Sequence, residues 1–418
     1  MKKLYDVTIT FDPASYDGPV ESVAVRGEFL FYESGLTGHT DKTGMVDCDK
    51  KYTPHQYAEG LDSIGGLYCE EMQKDAQGLY QVSFRLPAGV YPYHFLINPR
   101  FGEPSTDPRF SWSNMTMADG SQKGLQNLEA ALACGFSGPE NHVMPDPQNP
   151  PVAPTATGKQ QNSELYVGTE EESFCLPISD KSKAGTLTYL SYSDIDGKTQ
   201  SMAVYLPAKF DRNKTYPLIL VSHGGGGNEA DWPSQGSIGN VMDHLIAQGK
   251  TREAILVCMN NSVYQWDFGK IARNCEEWII PFLEKLFPIS KDTKDRAFCG
   301  LSMGSMTTLY MYMHRSHVYD YFGAFSGGIA PGHEQFTLED PHLKDVTLMI
   351  GSAEEDIAYN ERDRRAPHHP GAGSQGPALH PLLRHRFPRL VLLAPDVPAL
   401  RRSRAVEKGK SIMVRSTF

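Results

Sequence analysis

The spacing of hydrophobic and polar positions changes along this chain. Up to about residue 130 they alternate with period two. Tyr5-Asp6-Val7-Thr8-Ile9-Thr10-Phe11 and Val23-Ala24-Val25-Arg26-Gly27-Glu28-Phe29 are half-buried strand patterns, punctuated by Gly, Pro and Asp turns. Gly78–Leu86 and Val90–Ile97 are two more, joined by Pro87-Ala88-Gly89, as in a β-sandwich. Residues 131–165 lose the period and gather Pro145, Pro147, Pro150, Pro151 and Pro154, which predicts a semi-extended linker.

Beyond the linker, continuous apolar runs alternate with helical spacing. Leu187–Tyr192 and Met202–Leu206 flank Asp196-Gly197, a hairpin signal. Pro217–Val221, Ala254–Met259 and Val346–Ile350 read as strands buried on both faces. Val241–Ala247 and Cys275–Leu286 read as helices, the second kinked by Pro281. Strand, helix, strand in this order predicts an α/β domain with a mainly parallel sheet over residues 166–363.

Within that domain, Ala297-Phe298-Cys299 enters Gly300-Leu301-Ser302-Met303-Gly304. The chain leaves through Met306, Leu309, Tyr310 and Met313, on one helical face. A strand, a sharp turn and a helix lift the Ser302 hydroxyl clear of the sheet, with the helix N-terminus behind it. Glycines are required on either side because a Cβ would clash where strand and helix nearly touch. A bare G-x-S-x-G also fits a glycine-rich loop; the flanking strand and helix favour the nucleophile turn.

A second motif, Ser222-His223-Gly224-Gly225-Gly226-Gly227-Asn228-Glu229-Ala230-Asp231-Trp232, directly follows a buried strand. Four glycines let backbone N–H groups point into a pocket. In acyl transfer the N–H groups of Gly225 and Met303 would hold the oxyanion. A phosphate cradle is the rival reading, but neither G-x-x-x-x-G-K-[ST] nor G-x-G-x-x-G is formed. His223 precedes the glycines and reads as a loop-shaping residue rather than a base. Trp232 either lines the acyl pocket or packs beneath the loop.

Composition narrows the field. At 418 residues the chain has room for two or more domains, and 40% hydrophobic with 22% charged residues is ordinary for globular protein. A net charge of −10 argues against nucleic acid and anionic membranes as partners, and no apolar run approaches the roughly 20 residues of a spanning helix. Asp6 interrupts the N-terminus before any apolar signal region forms. Seven scattered cysteines without C-x-x-C fit reduced thiols in a cytoplasm, with Cys299 a small core residue. Neither a metal nor a cofactor is expected.

Together, the HGGGGNEADW loop, the GLSMG turn and the strand ending at Gly351 resemble the esterase D-like branch of the α/β-hydrolases. That branch holds feruloyl and acetylxylan esterases, enterochelin-type esterases and mycolyl transferases. The resemblance covers about residues 180–360. It implies a triad in chain order Ser, Asp, His, with Ser302 as nucleophile and Asp356 as acid; Glu354 and Glu355 are weaker substitutes. Residues 1–130 resemble the immunoglobulin-like modules that precede sugar-active enzymes, ending at Asp107-Pro108. Exposed aromatics among Tyr91, Tyr93, Phe110 and Trp112 would be the means of binding sugar, although alternating strand aromatics more often face a core.

The histidine implied by the resemblance, in a Gly-x-His-Asp-Trp-x-x-Trp loop about thirty residues past the acid, is absent. Residues 364–418 differ in kind: nine arginines and two lysines face only Asp396 and Glu407, a net of +9 in a chain of −10. All 20 tyrosines and all 4 tryptophans lie upstream. These features predict a reading-frame shift near Arg364 and a poorly ordered tail with an uncovered sheet edge before it. Read one base later, the codons permitted across Arg386–Ala394 accommodate Gly-Ser-His-Asp-Trp-x-x-Trp. In frame, His385 is the best replacement for the missing base; His368, His369 and His380 are weaker.

The resulting expectation is a serine carboxylic-ester hydrolase acting on an acylated carbohydrate, impaired by loss of the triad histidine. The alternatives are a siderophore esterase, an acyltransferase with the same triad, and a catalytically dead hydrolase fold that binds carbohydrate. The partner is a small-molecule or oligosaccharide ester, with no nucleic acid and no membrane.

Overall fold

The computed structural model describes residues 3–29, 31–33, 39–40, 46–47, 50–57, 61–63, 68–99, 116–117, 142–151, 162–327, 345–351 and 413–415. By its internal contacts the chain divides into two units, 1–179 with 234–240, and 180–233 with 241–418.

The first unit is built of antiparallel strands. Strand β1 (Leu4–Phe11) pairs along its whole length with β4 (Tyr80–Pro87). A second sheet is centred on β5 (Gly89–Ile97), flanked by β2 (Val23–Gly27) and by β6 (His142–Met144) and β7 (Ser163–Val167). Strand β3 (Tyr68–Glu71) lies on the far side of β2. Period-two alternation sends Ile9, Phe11, Val82 and Phe84 from one sheet, and Val23, Val25, Tyr93 and Phe95 from the other, into one aromatic-rich core. Tyr91 and Tyr93 are buried there, with their hydroxyls donating to the Pro87 carbonyl and to Asp146. They are packing residues, as alternating strand aromatics usually are. Phe110 and Trp112 lie outside the described residues.

Strand β6 and the first three residues of β7 fall inside the 131–165 stretch that its prolines mark as a linker. His142–Met144 and Ser163–Val167 are instead paired with β5. Prolines between the two segments do not prevent pairing on either side of them.

The second unit holds an eight-stranded mixed sheet. Its strands are β8 (Thr186–Ser193), β9 (Thr199–Leu206), β10 (Leu218–Ser222), β11 (Ile255–Met259), β12 (Arg296–Leu301), β13 (Tyr321–Phe325), β14 (Thr347–Gly351) and β15 (Met413–Arg415). Their order is β8-β9-β11-β10-β12-β13-β14-β15, with β10 to β14 mutually parallel. The hairpin β8–β9 turns at Gly197, whose φ of +72 requires a residue without a Cβ penalty. Strands β10 and β11 are buried at every position, which is why their sequences are continuous apolar runs.

Helices α1 (Ile238–Ala247), α2 (Phe268–Asn274), α3 (Ile280–Leu286) and α4 (Met303–His314) accompany the sheet. Leu218, Leu220, Val257, Phe298 and Phe322 form one core with Ile271, Leu283, Leu309 and Met311. Residues 275–279 widen into a π turn, in which the Ile280 N–H reaches back to the Cys275 carbonyl. Pro281 follows at once, so the missing N–H and bulky ring are met by a widened turn.

Strand β13 is an element that the sequence pattern does not reveal, because Tyr-Phe-Gly-Ala-Phe is short and broken by Gly323. At the other edge, β15 pairs antiparallel with Thr347–Met349, so β14 is not the bare edge expected. Backbone pairing asks for no particular side chain, so a tail of foreign composition can still supply it. Asp356 and His385 lie outside the described residues.

Candidate active site

All five parallel strands point their carboxyl ends the same way, and the candidate residues follow from those ends. Ser302 follows β12 directly, with φ 53 and ψ −112, a conformation costly for any residue with a Cβ. Its N–H donates to the Phe325 carbonyl at 2.9 Å, and its carbonyl accepts from Met306 at 3.1 Å, so strand ladder and helix grip it from both sides. The side chain is exposed, as a nucleophile at a turn's apex must be. The glycines serve as anticipated: a Cβ on Gly300 would lie 2.5 Å from the Gly304 carbonyl carbon and oxygen. Cys299 is packed in the strand, where burial pushes its thiol up to about 12, so it is a core residue and not a rival nucleophile.

The glycine-rich loop follows β10 and reaches the same spot. A Cβ built on Gly224 would lie 3.6 Å from Ser302 Cβ, and Gly226 takes φ +75. The loop is fixed from beneath. Trp232 Nε1 donates to the Ser222 carbonyl at 2.9 Å, Ser262 Oγ to the Gly227 carbonyl at 2.8 Å, and Asn261 Nδ2 to Ser222 Oγ at 3.0 Å. Met303 heads α4, where the first N–H groups have no intrahelical acceptor. Among the described residues neither the Met303 nor the Gly225 N–H is engaged in a hydrogen bond.

His223 is buried under this loop, 1% exposed. Its Nδ1 donates to the Gly224 carbonyl at 2.6 Å while Nε2 accepts from the Asn261 N–H at 2.9 Å. Both ring nitrogens are occupied by backbone, so the ring is a neutral strut and offers no free nitrogen as a base. The Ser302 hydroxyl has no hydrogen-bond partner among the described residues. Neither a cluster of metal-ligating side chains nor a helix long and apolar enough to cross a membrane occurs among them.

Three features here escape a reading of the sequence. Trp266 places its half-exposed indole beside Gly225, and Asn261 ties β10 to the loop after β11. Ser326, with φ 49, donates its N–H to Gly351 and carries the ladder from β13 to β14 at the level of Ser302. None of them belongs to a motif, and each is defined by strands far apart in the chain.

A strained, exposed serine between strand and helix, facing a glycine-rich loop at the carboxyl edge of a parallel sheet, defines a serine hydrolase of the α/β-hydrolase class. Residues 194–370 match the family model described as "Putative esterase". The match ends beside the change in composition that begins at residue 364. Over 184 residues the chain is 36% identical to an endo-1,4-beta-xylanase/feruloyl esterase of Xylanibacter ruminicola, which covers 41% of this chain and 25% of that protein. The chain thus spans about a quarter of this relative's length. Among solved structures, the feruloyl esterase module from Clostridium thermocellum complexed with sinapinate is 27% identical, covers 46% of this chain and 74% of its own, and superposes with a TM-score of 0.39. The enterobactin esterase of Shigella flexneri is 15% identical, covers 79% and 72%, and gives a TM-score of 0.43.

Proposed function

We propose that this chain is a serine carboxylic-ester hydrolase for acylated carbohydrate, of feruloyl or acetyl ester type, whose turnover is impaired by loss of the triad histidine. The observation that carries the chemistry is the Ser302 turn set against the Gly224–Gly227 loop. The substrate class is supported by the relationship to a xylanase/feruloyl esterase.

In this reading Ser302 Oγ attacks the ester carbonyl while a base takes its proton. Negative charge moves to the carbonyl oxygen, between the N–H groups of Gly225 and Met303. Expulsion of the alkoxide, protonated by the same base, leaves an acyl-serine that water hydrolyses in the reverse sense. Asp356 orients the base. In the frame carried here that base is missing, or is replaced by His385; the shifted frame would provide a histidine in the expected loop. Residues 1–130 form an immunoglobulin-like module whose further role is to hold sugar.

The decisive experiment compares p-nitrophenyl acetate hydrolysis by this chain, by a frame-corrected chain and by each with Ser302→Ala. The frame-corrected protein is expected to exceed the present one by about 10⁴–10⁶-fold, and Ser302→Ala to abolish the gain. Equal, Ser302-independent rates in all four proteins would sink the proposal. The lack of a Gly-x-His-Asp-Trp-x-x-Trp sequence after Asp356 favours a second reading, a hydrolase fold that binds acylated sugar without turning it over. Retention on an oligosaccharide affinity gel by proteins that all lack turnover would select it.

A further inference from the structure

Four large hydrophobic side chains are exposed among the described residues, and three of them, Val263, Trp266 and Leu301, lie on the carboxyl edge of the parallel sheet. Leu301 immediately precedes Ser302, and Val263 and Trp266 follow β11. The indole is 50% exposed, yet its edge would touch a Cβ on Gly225, with Cζ2 3.9 Å away. It is not a loose surface residue. It meets the buried Phe268 edge-on at 6.3 Å, and Phe268 stacks on Tyr310 of α4 at 6.1 Å. The backbone beneath it is costly: Gln265 and Trp266 both adopt left-handed conformations, with φ 48 and 67. Glycine would make this turn without strain. A half-exposed tryptophan recovers little of that cost by burial, so the residue is held there for what it can touch.

The sheet order shows which part of an ester it touches. Ser302 stands at the end of β12, with β10 and then β11 on one side, and β13 and β14 on the other. In the hydrolase reading the acid follows β14 in sequence, and a base oriented by it would protonate the leaving alcohol on that side of Ser302. The acyl group must then extend the opposite way, past the β10 loop and onto the loop after β11. A flat indole flanked by Leu301 and Val263 matches a planar, unsaturated or aromatic acyl group, and it has nothing to grip on an acetyl group.

We infer that Trp266 is a specificity-determining residue that stacks on an aromatic acyl group of the ester, on the side of Ser302 away from the leaving alcohol. This inference rests on the hydrolase reading of Ser302, but its test does not need turnover.

The test uses the full chain carrying Ser302→Ala and two probes with the same ring on opposite sides of the ester. Methyl cinnamate carries the ring on the acyl side and cinnamyl acetate carries it on the alcohol side. Binding is followed by saturation-transfer NMR titration. Trp266→Ala is expected to weaken methyl cinnamate binding about three- to tenfold, with cinnamyl acetate changed less than about twofold. Trp266→Phe should retain most of the affinity. Trp266→Gly should lose it while melting no lower than the parent, since it relieves the left-handed strain. Unchanged methyl cinnamate binding in Trp266→Ala, an equal loss for both probes, or no binding of methyl cinnamate to the parent would each overturn the inference. If the probes respond as expected while the frame-corrected protein hydrolyses no ester, the hydrolase reading falls and the stacking role stands. If that protein turns over esters and Trp266→Ala leaves methyl cinnamate binding intact, only the stacking role falls.

Discussion

Gly304, in the first turn of α4, lies so close to β10 that a Cβ built on it would sit 2.3 Å from the Ser222 carbonyl oxygen. That approach joins the nucleophile turn to the strand that launches the glycine-rich loop, so one contact sets the distance between the two halves of the site. The obstacle is backbone, which has no rotamer by which to step aside. Gly304→Ala is therefore expected to cost about 3 kcal/mol or more in urea denaturation. Gly226→Ala, whose Cβ would enter open space, should cost only about 1 kcal/mol, from its φ of +75. Equal costs at the two positions would contradict the steric account.

Strain at Ser302 should be measurable apart from chemistry. Replacing it by glycine removes the Cβ that makes φ 53, ψ −112 unfavourable. Ser302→Gly is expected to raise stability by about 1 kcal/mol while eliminating ester turnover in a frame-corrected chain. A lower melting temperature in Ser302→Gly than in Ser302→Ala would show that the turn is not strained.

His223 has a structural role that kinetics can separate from a catalytic one. His223→Ala leaves the buried Asn261 N–H without its acceptor and opens a void under the loop, so a loss of about 2–4 kcal/mol is expected. In a frame-corrected chain the rate should fall while the inflection of the pH–rate profile stays where it was. A vanished inflection would instead identify His223 as the titrating base.

Stability of the first unit should fall as pH rises toward neutrality. Burial raises Glu28 to about 7; burial, aided by the charge of Glu28, does the same for Glu164. Between their ordinary value of 4.5 and about 7, the folded state holds protons that the unfolded chain has released. Stability is therefore lost with rising pH over that window, by up to about 1.4 kcal/mol per pH unit per group. His94 opposes this. Its burial, with Arg26 opposite it on β2, lowers it from 6.5 to about 4, so it adds stability as pH rises to 6.5. The net loss should be steepest between about 6.5 and 7, where His94 no longer compensates. Denaturation of this unit at pH 5 and pH 8 checks the sign, and a double Glu28→Gln, Glu164→Gln variant should flatten the profile.

Much of the α/β unit is legible in the sequence. Pro217–Val221 and Ala254–Met259 had to be buried strands, and both are, because a central parallel strand has no solvent face to mark with polar residues. The Ser302 turn and the glycine loop were legible for a related reason: each places a steric demand on a few adjacent residues, which leaves a local pattern. The break near Arg364 was visible because composition is a local property too.

What stayed hidden was set by residues distant in the chain. The segments at 142–144 and 163–167 look like linker until β5 gives them a partner, since pairing depends on the strand opposite and not on the proline count between them. Strand β13 forms because β12 and β14 flank it. Trp266 reads as one aromatic among many in sequence; only the sheet order puts it beside Gly225 and two strands away from Ser302. The sequence alone named the candidate groups for the chemistry, because reactivity is written in residue types and tight local geometry. Tertiary structure alone decided what surrounds them, because neighbours across a sheet are chosen by topology, which no short stretch of chain contains.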